Sequence, residues 1–191
     1  MMCLACRVPD LDITGIEIQD ELVKLCSANI ERNNFGRSMR VEKGNVTNLS
    51  DSMLGAFDHV IMNPPYHNIR GHNLSPNEIK KIANAEVEGS LDGWIENACK
   101  AINERGTITL IHRADVLDRI TALLKNRFNC IEIKPINSNI GSEAKRVLVR
   151  AKSGVDCGIK TCAPLIMHGC DAKYSDDAEK ILRHICAINF N

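Results

Sequence analysis

From Asp12 onward the sequence switches repeatedly between two hydrophobic periods, and this limits the possible architecture more than any other feature. Asp12–Ile18 alternates apolar and polar residues, is rich in β-branched types, and so predicts a strand. Asp20–Asn33 carries apolar side chains at Leu22, Val23, Leu25, Cys26 and Ile30, one face of a helix, with Asn33-Asn34-Phe35-Gly36 as its stop. Met39–Glu42 and Phe57–Met62 predict two further strands. The second must end at Asn63-Pro64-Pro65, because paired prolines cannot continue a ladder. Leu91–Ile102 predicts a helix, Gly106–His112 a strand, and Ala114–Asn126 an amphipathic helix whose Val116, Leu117, Ile120, Leu123 and Leu124 share a face. Cys130–Ile136 and Ala144–Val149 add two strands, and the tail a strand near Leu165–His168 and a short helix over Ser175–Ile185. Strands interleaved with helices predict a parallel α/β sheet covered on its faces, with ligands bound outside the carboxyl ends of the strands. Between His67 and Gly89 no period is sustained, and a stretch of that length inside a compact domain is functional or disordered.

Composition removes several alternatives. The apolar content is ordinary and Gly and Pro are modest, which excludes collagen-like and disordered classes. No run approaches the roughly 18 uninterrupted apolar residues of a membrane span, and Met1–Asp10 lacks signal-peptide character, so a cytoplasmic protein without membrane partners is expected. The 24 basic and 24 acidic side chains cancel, which argues against tight binding driven by charge alone. The nine cysteines are scattered and odd in number; apart from Cys3-Leu-Ala-Cys6 they lack metal-site spacing. They are expected to be reduced and to behave as small hydrophobes. His67, His72 and His112 show no ligand spacing either, and no metal is expected.

Two features fall at predicted strand ends. Glu17 closes the first strand, where a carboxylate can accept hydrogen bonds from both hydroxyls of a cofactor ribose. Asn63-Pro64-Pro65-Tyr66 closes the third. Pro64 and Pro65 hold the backbone extended, which aims the Asn63 carboxamide and the Pro64 carbonyl the same way. Both accept hydrogen bonds from an NH2 group, and Tyr66 offers a ring for a base to stack on, worth about 1–3 kcal/mol. The pattern suits a planar amine whose lone pair must reach an electrophile.

On these residues the chain resembles the class I methyltransferases that use S-adenosylmethionine, in the branch that methylates amino nitrogens and carries NPPY. Through Gly15–Gln19, Phe57–Tyr66, Gly106–Asp115 and Ala144–Arg150 it resembles more narrowly the bacterial tRNA(Val) adenine-N6 methyltransferases. The resemblance implies an α/β fold with a Rossmann-like class I methyltransferase sheet, mostly parallel, and a short C-terminal extension. It implies a methyltransferase-like domain over residues 1–154, with 155–191 as an extension packed on it. Glu17 would hold the cofactor ribose beside Ile18. Asn45 and Val46 would flank the cofactor adenine, although the family usually has an acidic residue at Asn45. Asn63 and Pro64 would grip the target amine, with Asn63 also counted among the cofactor-binding residues; Pro65 would brace them, and Tyr66 would stack on the target base. The implied partner is tRNA, in which an unpaired adenine costs least to extrude.

The family opens with a strand and a Gly-rich turn of the form D-L-G-x-G-x-G that cradles the methionine half of the cofactor. Here Gly15 is the first glycine, and Met1–Val8 matches the helix after that turn. The fold is therefore expected to lack its first strand, which normally lies between the strand ending at Glu17 and the strand ending at Met62. A clean loss at one end, beside an intact NPPY, points to N-terminal truncation. Two alternatives stand beside the adenine reading. One is a cofactor-deficient module that binds RNA or protein; the other is glutamine N5 methylation of release factors, whose enzymes share NPPY. Basic clusters at Arg37, Arg40 and Lys43, at Lys80 and Lys81, and at Lys145, Arg146, Arg150 and Lys152 are candidate RNA contacts. Trp94 is expected in the core.

Overall fold

The computed structural model describes residues 1–66, 91–169 and 173–190. The aperiodic stretch after Tyr66, with His67, His72, Lys80 and Lys81, lies outside the described residues. The chain forms two compact units, Met1–Leu49 and Ser50–Asn191.

The first unit contains helix α1 (Met2–Arg7), strand β1 (Ile13–Glu17), helix α2 (Asp20–Arg32) and strand β2 (Met39–Lys43). β1 and β2 pair in parallel with Ile13 opposite Met39 and Glu17 opposite Lys43. α2 makes the crossover that parallel pairing requires. It stops as the sequence predicts: Asn34 takes a left-handed φ of 58° and the Phe35 amide reaches back to the Ile30 carbonyl at 3.0 Å. Ala5, Ile30 and Met39 form a small core with Met2, Ile13, Cys26, Phe35 and Val41 packed on it. The apolar face predicted for α2 is narrower than its sequence: Leu22 and Leu25 are exposed, and only the stripe through Cys26 and Ile30 reaches the core.

The second unit is built on a six-stranded sheet of β3 (Phe57–Met62), β4 (Ile102–Arg113), β5 (Cys130–Asn137), β6 (Ala144–Lys152), β7 (Gly158–Thr161) and β8 (Leu165–Ile166). The order is β3-β4-β6-β5-β7, with β8 also on β5. Helices α3 (Leu91–Ala101) and α4 (Leu117–Lys125) supply Ile95, Ile120 and Leu124 to a core that also holds Ile108, Leu110, Ile131 and Val149. Val116, Leu117 and Leu123 pack against it, as the amphipathic pattern predicts, and so does Trp94. Helix α5 (Asp176–Arg183) starts at Ser175, whose hydroxyl accepts from the Ala178 amide at 3.1 Å and donates to the Ile166 carbonyl at 2.6 Å.

The sheet is mixed but mostly parallel, as expected: β6 runs antiparallel between β4 and β5, and the other strands share one direction. Residues 138–143 alone join β5 to β6, and so short a link suits antiparallel neighbours. Two expectations need correction. The strands form two sheets instead of one: β1 pairs only with β2, and β3 only with β4, among the described residues. Last, Cys130 and Cys157 form a disulfide rather than remaining reduced. The pairing brings them together, since Cys130 lies opposite Gly158 in the β5–β7 ladder. β7 itself has all four residues exposed, so it carries no alternation a sequence reading could detect.

The topology positions the chemistry. β3 and β4 are parallel, so their carboxyl ends, Met62 and Arg113, share one end of the sheet. β6 begins at that same end, with Arg146 opposite Arg113.

Candidate active site

Past the end of β3 burial alternates: Met62 and Pro64 are buried, Asn63 and Pro65 exposed. Pro64 is fully enclosed and acts as the anchor that lifts Asn63 out of the unit. The Tyr66 hydroxyl donates to Asn63 Oδ1 at 2.6 Å. This bond fixes the carboxamide and leaves one lone pair of Oδ1 for another donor.

The Tyr66 ring is braced on one edge. His112, on β4, meets it edge-on with centroids 4.9 Å apart and planes at 88°. His112 is only 3% exposed, and neither ring nitrogen meets a partner at full hydrogen-bond geometry among the described residues. Burial pushes its pKa below the ordinary imidazole value, against smaller upward pulls from the Pro65 carbonyl and Asp115. The imidazole is therefore neutral at pH 7 and packs as an aromatic plate. In the sequence His112 stands out only as a candidate metal ligand without ligand spacing. The signal for its packing role was present, because Ile108, Leu110 and His112 fall two apart on the buried face of β4. The guanidinium of Arg146 lies over the Tyr66 ring, 5.9 Å from its centroid.

Beside this hook lies a cleft of about 420 Å³ lined by Tyr66, Arg113, Ala114, Asp115, Ala144, Lys145 and Arg146. Arg113 and Asp115 form an ion pair along its wall.

The other predicted site residues gather in the first unit, at the carboxyl ends of β1 and β2. The Gly44 amide donates to the Glu17 carbonyl at 3.0 Å, holding the two ends together. Glu17 Oε1 accepts from the Gln19 amide at 2.9 Å, so its other oxygen is available to a diol. Ile18 and Val46 are half-buried. Asn45 Oδ1 is committed to Thr47, accepting from its amide at 2.9 Å and its hydroxyl at 2.7 Å. Its NH2 group is thus what remains to meet a ligand. A carboxylate, a carboxamide and two apolar side chains fit the adenosine half of S-adenosylmethionine; Asn45 would then donate to a ring nitrogen. Among the described residues no cluster of metal ligands occurs and no helix is long and apolar enough to cross a membrane.

A fold of this kind, with its candidate site residues at strand carboxyl ends, is that of the S-adenosylmethionine-dependent methyltransferases. The chain belongs to the methyltransferase small domain family, whose model matches residues 1–134. It is 27% identical over 148 residues to the tRNA1(Val) (adenine(37)-N6)-methyltransferase of a Shewanella species, covering 76% of this chain and 61% of the relative. It is 25% identical over 138 residues to the release factor glutamine methyltransferase of Haemophilus influenzae, covering 69% of this chain and 45% of the relative. The chain thus spans less than two thirds of these relatives. A crystal structure described as a predicted O-methyltransferase from Agrobacterium tumefaciens superposes with a TM-score of 0.78 at 24% identity, covering 98% of this chain and 84% of the other. A methyltransferase from Pyrococcus furiosus gives 0.53 at 22% identity, covering 81% and 69%. These two likenesses bear on the fold.

Proposed function

We propose that this chain methylates an exocyclic amine, namely N6 of an unpaired adenine in tRNA, with Asn63 and Pro64 as the groups that hold the amine. The supporting observation is the geometry of Asn63: exposed, anchored by buried Pro64, and oriented by the Tyr66 hydroxyl. An arylamine is a poor nucleophile because its lone pair is delocalised into the ring. Accepting its two hydrogens at Asn63 Oδ1 and the Pro64 carbonyl draws electron density onto nitrogen and favours the pyramidal, nucleophilic form. These acceptors also stabilise the positive charge that grows on nitrogen as it attacks, an electrostatic effect of preorganised dipoles. Glu17, Ile18, Asn45 and Val46 would hold S-adenosylmethionine, which when bound would supply an electrophilic methyl group whose bond to sulfur breaks as the new bond to nitrogen forms, the sulfur leaving as a neutral thioether. The extra proton then leaves nitrogen for water. Tyr66 keeps the target plane fixed by stacking.

A second reading has its own support. Glutamine presents the same planar NH2, and a glutamine methyltransferase matches at similar identity. The adenine reading is favoured because the Tyr66 ring and the cationic cleft beside it suit a nucleotide.

The test is methyl transfer from labelled S-adenosylmethionine to tRNA, with Asn63→Ala as the variant. Turnover should fall about 100-fold, as when one preorganised group around a developing charge is lost. Cofactor affinity should change less than twofold. Unchanged turnover removes Asn63 from the chemistry, and transfer to a release-factor glutamine but not to tRNA replaces the adenine reading.

A further inference from the structure

We propose that the cleft beside Tyr66 is a phosphodiester subsite, in which Lys145 and Arg146 hold the backbone of single-stranded RNA so that one base reaches the Asn63 hook. This rests on the adenine-methylation reading and assigns the groups that would hold the substrate's backbone.

The argument begins with a conflict in the ladder. β4 and β6 place Arg113 directly opposite Arg146. Like charges in facing positions destabilise an antiparallel pair. Arg113 is relieved by Asp115. Arg146 meets no carboxylate among the described residues, only the Tyr66 ring, and Lys145 is exposed with no ion pair there either. The cleft is thus lined by three cations and one carboxylate. The chain as a whole has no charge excess, so this imbalance is local to the cleft. Glu143 is exposed nearby in sequence but does not line the cleft.

Shape agrees with charge. Ala114 and Ala144, both small, line the cleft together with the cations and leave room between them. Tyr66 forms the shared border: its ring lines the cleft while its hydroxyl holds Asn63. An anion held here lies one side chain away from the amine acceptor. A nucleotide has that layout, with an anionic phosphate joined through a sugar to a planar amine-bearing base. A glutamine in a peptide carries no fixed anion at that spacing. An anion would also relieve the Arg113–Arg146 repulsion, so binding recovers an unfavourable energy already present in the free sheet.

The experiment is fluorescence anisotropy of a labelled RNA stem-loop with an unpaired adenine, titrated with protein over a range of salt and without methyl donor. Each cation that contacts a single-stranded phosphate contributes about 0.7 to the slope of log K against log salt. The double variant Lys145→Gln/Arg146→Gln should lower the slope by about 1.4 and weaken binding at least tenfold at low salt. Lys145→Gln alone, at an exposed position, should lower it by about 0.7 and keeps the test valid if the double variant folds poorly. Lys125→Gln, at the end of α4, should change nothing. Equal slopes for wild type and Lys145→Gln overturn the proposal, as does a glutamine peptide that binds while the RNA does not. Methyl transfer plays no part in this assay. RNA methylation with unchanged slopes therefore rejects the subsite alone, and changed slopes with full turnover in Asn63→Ala reject the chemistry alone.

Discussion

Glu132 offers a quantitative test of how the second unit is held together. It sits on β5 with a side chain only 11% exposed, and Arg150 and Lys152 of β6 reach it at 2.8 and 2.9 Å. Burial pushes its pKa up, but the hydrogen bonds and charges of the two cations outweigh this and hold the carboxyl below its ordinary value. Glu132→Gln removes the charge, nearly preserves the shape, and leaves two cations two residues apart on one strand face. Removing one member of a fully buried pair costs about 3–5 kcal/mol, whereas an exposed pair contributes about 0–1. The carboxylate is nearly buried, but the cations keep 29% and 30% of their surface, which places the expected loss between these limits at about 2 kcal/mol. Arg150 stays in place after the change because its guanidinium lies 3.9 Å over the Phe190 ring. Urea unfolding followed by the fluorescence of Trp94, the single tryptophan, reads the effect in this unit. Because the folded pKa is depressed, the stabilisation is complete above the unfolded value near 4.3 and is lost as pH falls through the folded one. The difference between the two proteins should thus be about 2 kcal/mol at pH 7 and shrink in acid below about pH 4. A loss under about 0.5 kcal/mol at pH 7, or an undiminished loss in strong acid, would refute the reasoning.

Two further outcomes follow from the geometry. Tyr66→Phe keeps the ring against His112 and deletes the bond to Asn63 Oδ1, so methyl transfer should fall about 3- to 10-fold, the value of one neutral hydrogen bond; in an Asn63→Ala background the same change should cost nothing, and equal losses in both backgrounds would show that the hydroxyl acts elsewhere. Gly106→Ala should destabilise the second unit by about 1–3 kcal/mol in urea unfolding, because the new Cβ would fall 2.7 Å from Ile102 Cβ and within 3.3 Å of the Asn103 and Asp58 carbonyls at an irregularity in the β3–β4 register.

What was readable in the chain was whatever depends on neighbours close in sequence. Phe57–Met62 is a strand with the expected bounds, since the Asn63-Pro64-Pro65 that follows leaves no other end point. The α4 face of Ile120 and Leu124 follows from spacing alone, and the αL stop at Asn34 from local chemistry. Asn63 and Tyr66 could be singled out because four consecutive residues already define acceptors, rigidity and a ring. Where two elements had to be placed side by side, the reading failed or was silent. The antiparallel insertion of β6, the fully exposed β7 and the Cys130–Cys157 bridge depend on partners far along the chain. So do the burial of His112 under Tyr66 and the opposition of Arg113 to Arg146. The Asn45 oxygen, too, is taken by the Thr47 amide and hydroxyl, a commitment the residue type alone does not reveal. Sequence by itself thus determined most of the elements and singled out Asn63–Tyr66 as a candidate site, through backbone restriction and hydrophobic period. Only the tertiary structure decided what surrounds the hook, because charge, burial and pairing across a sheet are properties of two strands at once.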